Sequence, residues 1–406
     1  MLVASDHVVV VGAGLAGWRF VESLRREGFD GAITLLGDEA HAPYDRPPLS
    51  KQVLVGKWPP EQTNLATPEQ LAAARITFRR GVAAVSLDVA TTTVSLADGS
   101  RVRGTHVAIA TGSRARMLPF SASERVHTLR SRDDVVRLNE HLAAVAPSAA
   151  VAIIGGGFIG AEVATALRTR GLRPIVLEAT ERPLVRVLGP EVSTWLEGLA
   201  ENAGVELRND QRIRDVQVVG SKFLVSFDDG TEETVAAVIV GAGALCNDEW
   251  LASSGLALDN GVVVNEHLLA SDRVAALGDV ARFDWDSVTG LESVRIEHWQ
   301  IAADHARRLA RYWVQGESEP DPLIPYFWSD QYGKKLQLLG HPRPHDDVVR
   351  ASGTLEEGKW LGLFSRGGTV TGAVTLGNPR ALIRCRPFLA SPTSLEDALR
   401  LAPWTS

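Results

Sequence analysis

Val8-Val9-Val10-Val11-Gly12-Ala13-Gly14-Leu15-Ala16-Gly17 decides the fold. Four β-branched residues run into a Gly-x-Gly-x-x-Gly spacing. This reads as a buried parallel strand that turns straight into a helix, expected over Trp18 to Arg25. Each glycine has its own task. Gly12 permits the tight turn, Gly14 lets backbone approach a pyrophosphate, and Gly17 lets the helix pack close to the strand. The free N–H groups and partial positive charge of the helix start face the phosphates. Ala32 to Leu36 is the next strand. Asp38 and Glu39 follow at the spacing where a carboxylate bonds a ribose hydroxyl, and both stand as candidates.

The pattern then occurs a second time. Val151 to Ile154 is a strand, Gly155-Gly156-Gly157-Phe158-Ile159-Gly160 is the turn, and Ala161 to Arg170 is the helix. Pro174 to Leu177 is the following strand, ended by Glu178. Gly155, Gly157 and Gly160 take the three glycine roles, and Glu178 takes the ribose position. A carboxylate there accepts from a 2′-hydroxyl and repels a 2′-phosphate, which argues for NADH over NADPH. Arg182 and Arg186, just downstream, pull the other way, since an arginine near the ribose can accommodate that phosphate. Two such turns in one chain define a protein that handles two dinucleotides.

The rest of the chain is arranged around these turns. Ala42 to Lys51 (APYDRPPLSK) is expected to be stiff and extended because of its three prolines. Arg46 can grip a pyrophosphate as a fork, and Lys51 can place a cation beside a flavin. A small β-meander runs to Ile109-Ala110-Thr111-Gly112-Ser113, where Thr111 and Gly112 form a small-residue turn suited to close cofactor approach. A second meander ends at Ile239 to Ala244, so the second nucleotide segment reads as inserted into the first. After the return, Asp279 heads a turn that can bond ribityl hydroxyls, and Arg295 opens a helix to about Val314. Glu317 to Pro325 reads as a linker to a smaller unit with an aromatic cluster from Tyr326 to Tyr332, in which Trp328 can abut a flavin ring.

The fold class is therefore α/β. Two Rossmann-like domains, the second inserted in the first, are followed by a C-terminal α+β domain. The boundaries are 1–113 with 242–320 for FAD, 114–241 for NAD, and 321–406 for the last domain. Composition limits the function. The chain has 406 residues and a net charge of −7, which argues against nucleic acid as a partner. Its two cysteines, Cys246 and Cys385, lie far apart, so a redox disulfide, a disulfide framework and a cysteine metal site are unsupported, and no metal is expected. Leu142 to Ala161 carries no charge, but Pro147 and the glycines interrupt it, so no membrane span is expected. Met1 to His7 does not read as a signal peptide, and the expected location is the cytoplasm.

The two fingerprints, APYDRPPLSK, Gly278-Asp279, RIEHWQIA from Arg295 and PYFWSDQYGKKLQLLG from Pro325 resemble the ferredoxin reductases of oxygenase systems. The resemblance implies FAD on Gly12, Gly14, Gly17, Asp38 or Glu39, Arg46, Lys51 and Asp279, with Trp299 and Trp328 lining the flavin. It implies NADH on Gly155, Gly157, Gly160 and Glu178, and places Glu162 near the nicotinamide, where it can pair with Lys51. It also implies hydride transfer from NADH to FAD. Electrons then pass singly to an iron–sulfur ferredoxin that serves a haem-thiolate monooxygenase or a ring-hydroxylating dioxygenase. Such ferredoxins are acidic, so Arg307, Arg308, Arg311, Lys334 and Lys335 are candidate docking cations. The run Gly241 to Asn247 departs from the Gly-x-x-Pro-Asn of the resemblance, which leaves the local turn there open. Competing readings are an NADH reductase of a small acceptor (quinone, oxygen or monodehydroascorbate) and an NADH-sensing binding protein like apoptosis-inducing factor.

Overall fold

The computed structural model describes residues 1–122, 125–287, 290–317 and 322–401. It divides into two compact units. The first is Met1–Asp45, Asn64–Arg114 and Leu245–Phe327; the second is Arg46–Thr63, Ala115–Ala244 and Trp328–Ser406. The expected linker from Glu317 lies partly outside the described residues, at 318–321.

The first unit is built on a six-stranded sheet with His7–Val11 near its middle. This strand pairs in parallel with Ala32–Gly37 on one side, Val11 opposite Leu36, and with His106–Ile109 on the other, Val11 opposite Ile109. Val8 to Val11 are buried, as a strand covered on both faces requires. Val274–Ala276 adds a further parallel strand beside His106–Ile109, so the chain completes this sheet only after its long excursion. The helices Leu15–Arg26 and Trp299–Gln315 pack together, with Phe20 and Trp313 edge to face at 5.4 Å. The second of these starts at Trp299, later than the expected start at Arg295, because residues 295–298 form no helical turn and His298 is extended.

The second unit repeats the plan. Ala150–Ile154 lies between Arg173–Leu177 and Ala237–Val240, all parallel, in a five-stranded sheet. An antiparallel meander of Ile213–Val219, Lys222–Phe227 and Glu232–Val235 accompanies it. The C-terminal part is a five-stranded sheet that orders Tyr326–Gln331, Lys334–Gly340, Thr369–Leu376, Lys359–Arg366 and Asp347–Thr354. Leu395–Leu401 closes the described chain as a helix.

One further local expectation is corrected, and one element is added. The loop Ala42 to Lys51 is not extended throughout: Leu49–Val53 forms a helical turn. Its prolines all precede that turn, and Pro48 caps it at φ −70°, which a proline adopts without strain. Residues 185–202, assigned no element from the sequence, form the helix Val185–Asn202, with a break at Gly189 (φ 76°) before Pro190. Among the described residues no helix is long and apolar enough to cross a membrane.

Candidate functional site

In the first unit the glycine turn is held by contacts that leave no room for side chains at two of its three key positions. Gly12 has φ +115°, and a Cβ there would sit 2.1 Å from the Ala110 carbonyl oxygen. A Cβ on Gly17 would sit 1.9 Å from the Gly12 carbonyl oxygen, so helix and strand touch through backbone. A Cβ on Gly14 would meet nothing within 4 Å, and the helix has no side-chain cap and no acidic residue in its first turn. That open, uncapped face fits an anion such as a pyrophosphate. At the ribose position Asp38 is exposed, while Glu39 is half-buried and accepts from the Tyr44 hydroxyl at 2.5 Å.

Segments returning from far along the chain brace the neighbouring turn at residues 111–113 and the start of the first helix. The Asn247 side-chain amide donates to the Thr111 carbonyl at 2.9 Å, the Thr111 hydroxyl donates to the Asn247 carbonyl at 2.7 Å, and the Asn247 N–H donates to the Gly112 carbonyl at 3.0 Å. The run left open by the sequence therefore still delivers its asparagine to the turn. Gly278 (φ +73°) brings the Gly278–Val280 turn so close to the first helix that a Cβ would lie 2.8 Å from that of Ala16. Asp279, in that turn, accepts from the Ser113 hydroxyl at 3.0 Å. His305 lies fully buried beneath the turn. Its Nδ1 accepts from the Gly278 N–H at 3.3 Å, and burial pulls its pKa down to about 3, so the ring is neutral. The Trp299 indole donates to Asp45 at 2.8 Å, which orients the ring at the start of its helix.

The second unit has the same glycine geometry. Gly155 has φ +106°, with a Cβ placed 2.6 Å from the Gly241 carbonyl oxygen; on Gly160 it would lie 2.0 Å from that of Gly155, and on Gly157 it would meet nothing within 4 Å. Glu178 is tied to the turn. One oxygen accepts from the Gly156 N–H at 2.8 Å, and the other from the N–H and hydroxyl of Thr180 at 2.8 and 2.7 Å.

This unit also carries a buried charge cluster. Glu162, 4% exposed on the helix Phe158–Thr169, pairs with the Lys51 ammonium at 2.7 Å. The same oxygen accepts from the Ser50 hydroxyl at 2.5 Å, and the other from the Ser329 hydroxyl at 2.8 Å and the Asp330 N–H at 3.3 Å. Lys51 also donates to the Pro47 carbonyl at 3.2 Å. Segments around 51, 162 and 329 thus meet on one carboxylate. Trp328, half-buried, directly precedes Ser329, and Arg46 donates to the Arg130 carbonyl at 2.7 Å.

The expected site residues are thus divided between the units. Gly12, Gly14, Gly17, Asp38, Glu39, Thr111, Gly112, Asp279 and Trp299 belong to the first, and Arg46, Lys51, Gly155, Gly157, Gly160, Glu162, Glu178 and Trp328 to the second. Sequence reasoning missed Ser50, Ser329, Asn247 and His305. The two serines lie inside PPLSK and FWSDQY, where a small polar residue beside a charge was the available signal. Both cysteines are free and buried, and desolvation lifts each thiol to about 12.

Two glycine turns on two mainly parallel sheets define a two-nucleotide flavoprotein oxidoreductase. The family described as pyridine nucleotide-disulphide oxidoreductase matches residues 6–306, and that described as reductase C-terminal matches 326–403. Rhodocoxin reductase of Rhodococcus erythropolis is 35% identical over 398 residues, covering 96% of this chain and 91% of that one. Putidaredoxin reductase CamA of Pseudomonas putida is 33% identical over 405 residues, covering 98% and 94%. The crystal structure of the covalent putidaredoxin reductase–putidaredoxin complex superposes with a TM-score of 0.91 at 31% identity, covering 98% of this chain and 96% of that one. The chain belongs to the pyridine nucleotide-disulphide oxidoreductase family and, within it, to the ferredoxin reductases of oxygenase systems.

Proposed function

We propose that this chain takes reducing equivalents from NADH and passes single electrons to an iron–sulfur ferredoxin, which serves a haem-thiolate monooxygenase or a ring-hydroxylating dioxygenase. The observation that carries this reading is the pair of glycine turns, each crowded at its first and third glycine and open at its second. FAD, when bound, supplies the hydride acceptor and the means of releasing electrons one at a time.

The chain's own residues have the following roles. Gly12, Gly14 and Gly17 present backbone to the FAD pyrophosphate. Glu39 is favoured over Asp38 at the ribose, because Tyr44 fixes its carboxylate. Asp279, oriented by Ser113, bonds the ribityl chain, and the turn at Thr111 and Gly112 supplies backbone. Trp299, Trp328 and Arg46 are further FAD contacts. Gly155, Gly157, Gly160 and Glu178 bind NADH. Lys51 supplies a fixed positive charge where negative charge develops on reduction, and Glu162 with its serine donors pins that ammonium. On this reading residues 1–113 and 242–320 bind FAD, 114–241 bind NAD, 321–406 form the C-terminal domain, and the protein works in the cytoplasm.

The test is anaerobic titration of the purified yellow protein with NADH and then NADPH, followed by turnover with a plant-type or putidaredoxin-like ferredoxin. Bleaching by NADH at far lower concentration than by NADPH, with ferredoxin reduced faster than menadione, is the expected result. Equal turnover with quinone and no ferredoxin reduction would move the small-acceptor reading to the front.

A further inference from the structure

The two arginines downstream of Glu178 raise a specificity question that the structure answers with a residue outside both glycine turns. Arg182, four residues beyond Glu178, is turned onto the helix Val185–Asn202, where its Nε lies 3.1 Å from a Glu197 oxygen. The other Glu197 oxygen accepts from the Asn209 amide at 2.5 Å, so the carboxylate is fixed from two sides. A second guanidinium is engaged in the same way. The Arg208 carbonyl accepts the Glu178 N–H at 2.9 Å, which places this residue beside the ribose carboxylate along the sheet. Its side chain is paired with Glu206 and with Glu233 at 2.9 Å, and those carboxylates raise its pKa. Arg186 is exposed on the first turn of the helix.

A 2′-phosphate beside Glu178 would need a cation to offset the repulsion. Arg182 is held on Glu197 through its Nε, so turning the guanidinium toward a 2′-phosphate competes with that ion pair. We infer that Glu197 is a specificity residue of this reductase: by holding Arg182, it withholds that guanidinium from the 2′-phosphate of NADPH. The inference rests on the reading of Glu178 as the ribose acceptor. Glu197 touches no nucleotide and acts through Arg182. Because the pair is partly exposed, releasing it shifts discrimination by a modest factor and does not invert it.

The experiment uses the FAD-loaded protein and Glu197→Gln, which keeps an acceptor for Asn209 and removes the charge. Calorimetry measures binding of adenosine 2′,5′-bisphosphate and of 5′-AMP. Steady-state assays with ferricyanide give kcat/KM for NADPH and NADH. The bisphosphate is expected to bind about fivefold tighter, AMP to be unchanged, and the NADPH-to-NADH ratio of kcat/KM to rise about fivefold. Adding Arg182→Ala should erase the gain. Glu197→Ala provides a second release of Arg182 should the glutamine variant melt below the parent. Unchanged bisphosphate affinity in a folded variant, or a gain that survives Arg182→Ala, would overturn the inference. A Glu178→Ala arm separates the two readings: if it leaves KM for NADH unchanged, the ribose assignment fails, whatever Glu197→Gln does.

Discussion

The two nucleotide turns share their glycine geometry and differ in what holds them. The second carries its own carboxylate bracket, Glu178 reaching back 22 residues to the Gly156 N–H with Thr180 beside it, while Gly155 lies against the Gly241 carbonyl. The first lies against a second turn, at residues 111–113, that is held from a distance. Asn247 bonds Thr111 across 136 residues, Asp279 bonds Ser113 across 166, and the Gly278 turn is pressed on Ala16 with His305 beneath it. On the proposed assignment, the turn with its own carboxylate bracket serves the nucleotide that enters and leaves every cycle. On the same assignment, the turn flanked by segments that return late in the chain serves the cofactor that stays. We propose that this difference in bracing matches the different residence times of the two nucleotides.

The sharpest way to break this comparison is at the crowded glycines. Gly17→Val places bulk where a Cβ already lies 1.9 Å from a carbonyl oxygen, and overpacking of this kind costs about 1–3 kcal/mol or more. The purified variant should carry almost no FAD by its ratio of absorbance at 450 to 280 nm. The matching Gly160→Val should keep its FAD and lose NADH binding. Loss of FAD in both would deny that the turns serve different nucleotides.

A smaller effect is expected at the charge cluster. Lys51→Met leaves Glu162 buried without its cation, which costs roughly 3–5 kcal/mol if nothing relaxes. Stopped-flow flavin reduction by NADH should slow about 100-fold, while Glu162→Gln, which keeps acceptors for both serines, should slow it about tenfold. Equal rates in all three proteins would remove the pair from the proposed machinery.

The smallest effect compares the units by acid. His305 in the first and His127 in the second are both buried neutral, with pKa values pulled down to about 3 and about 4 from 6.5 by desolvation. The unfolded chain takes up the proton that the folded chain refuses. Their stabilisation is therefore complete above pH 6.5 and is lost as pH falls toward those values, by roughly 1.4 kcal/mol per pH unit for each group. Urea unfolding at pH 7, 6 and 5 should show FAD retention weakening in parallel with this loss. His305→Gln should flatten the slope of FAD release, and His127→Gln should flatten only the slope of global unfolding.

The glycine turns were legible because chain geometry demands glycine at fixed spacing, and Glu178 was legible because its distance from the turn is set by one helix and one strand. The residues that hold the machinery in place were not. Ser50 and Ser329 meet Glu162 across 112 and 167 residues, and no local pattern announces such a meeting. Glu197 was hidden because Gly189-Pro190 punctuates the helix that carries it, so the periodicity is interrupted where it would have been read. The turn Leu49–Val53 was hidden by prolines that stop a helix before them and start one after them.

The burial of the two thiols has a practical side. With Cys246 5% and Cys385 0% exposed, and both pushed to about 12, neither presents a thiolate to maleimides or spin-label reagents in the folded protein. A cysteine introduced at an exposed position such as Ile383 would react alone, so the native chain can carry a single fluorophore or nitroxide with its own cysteines intact.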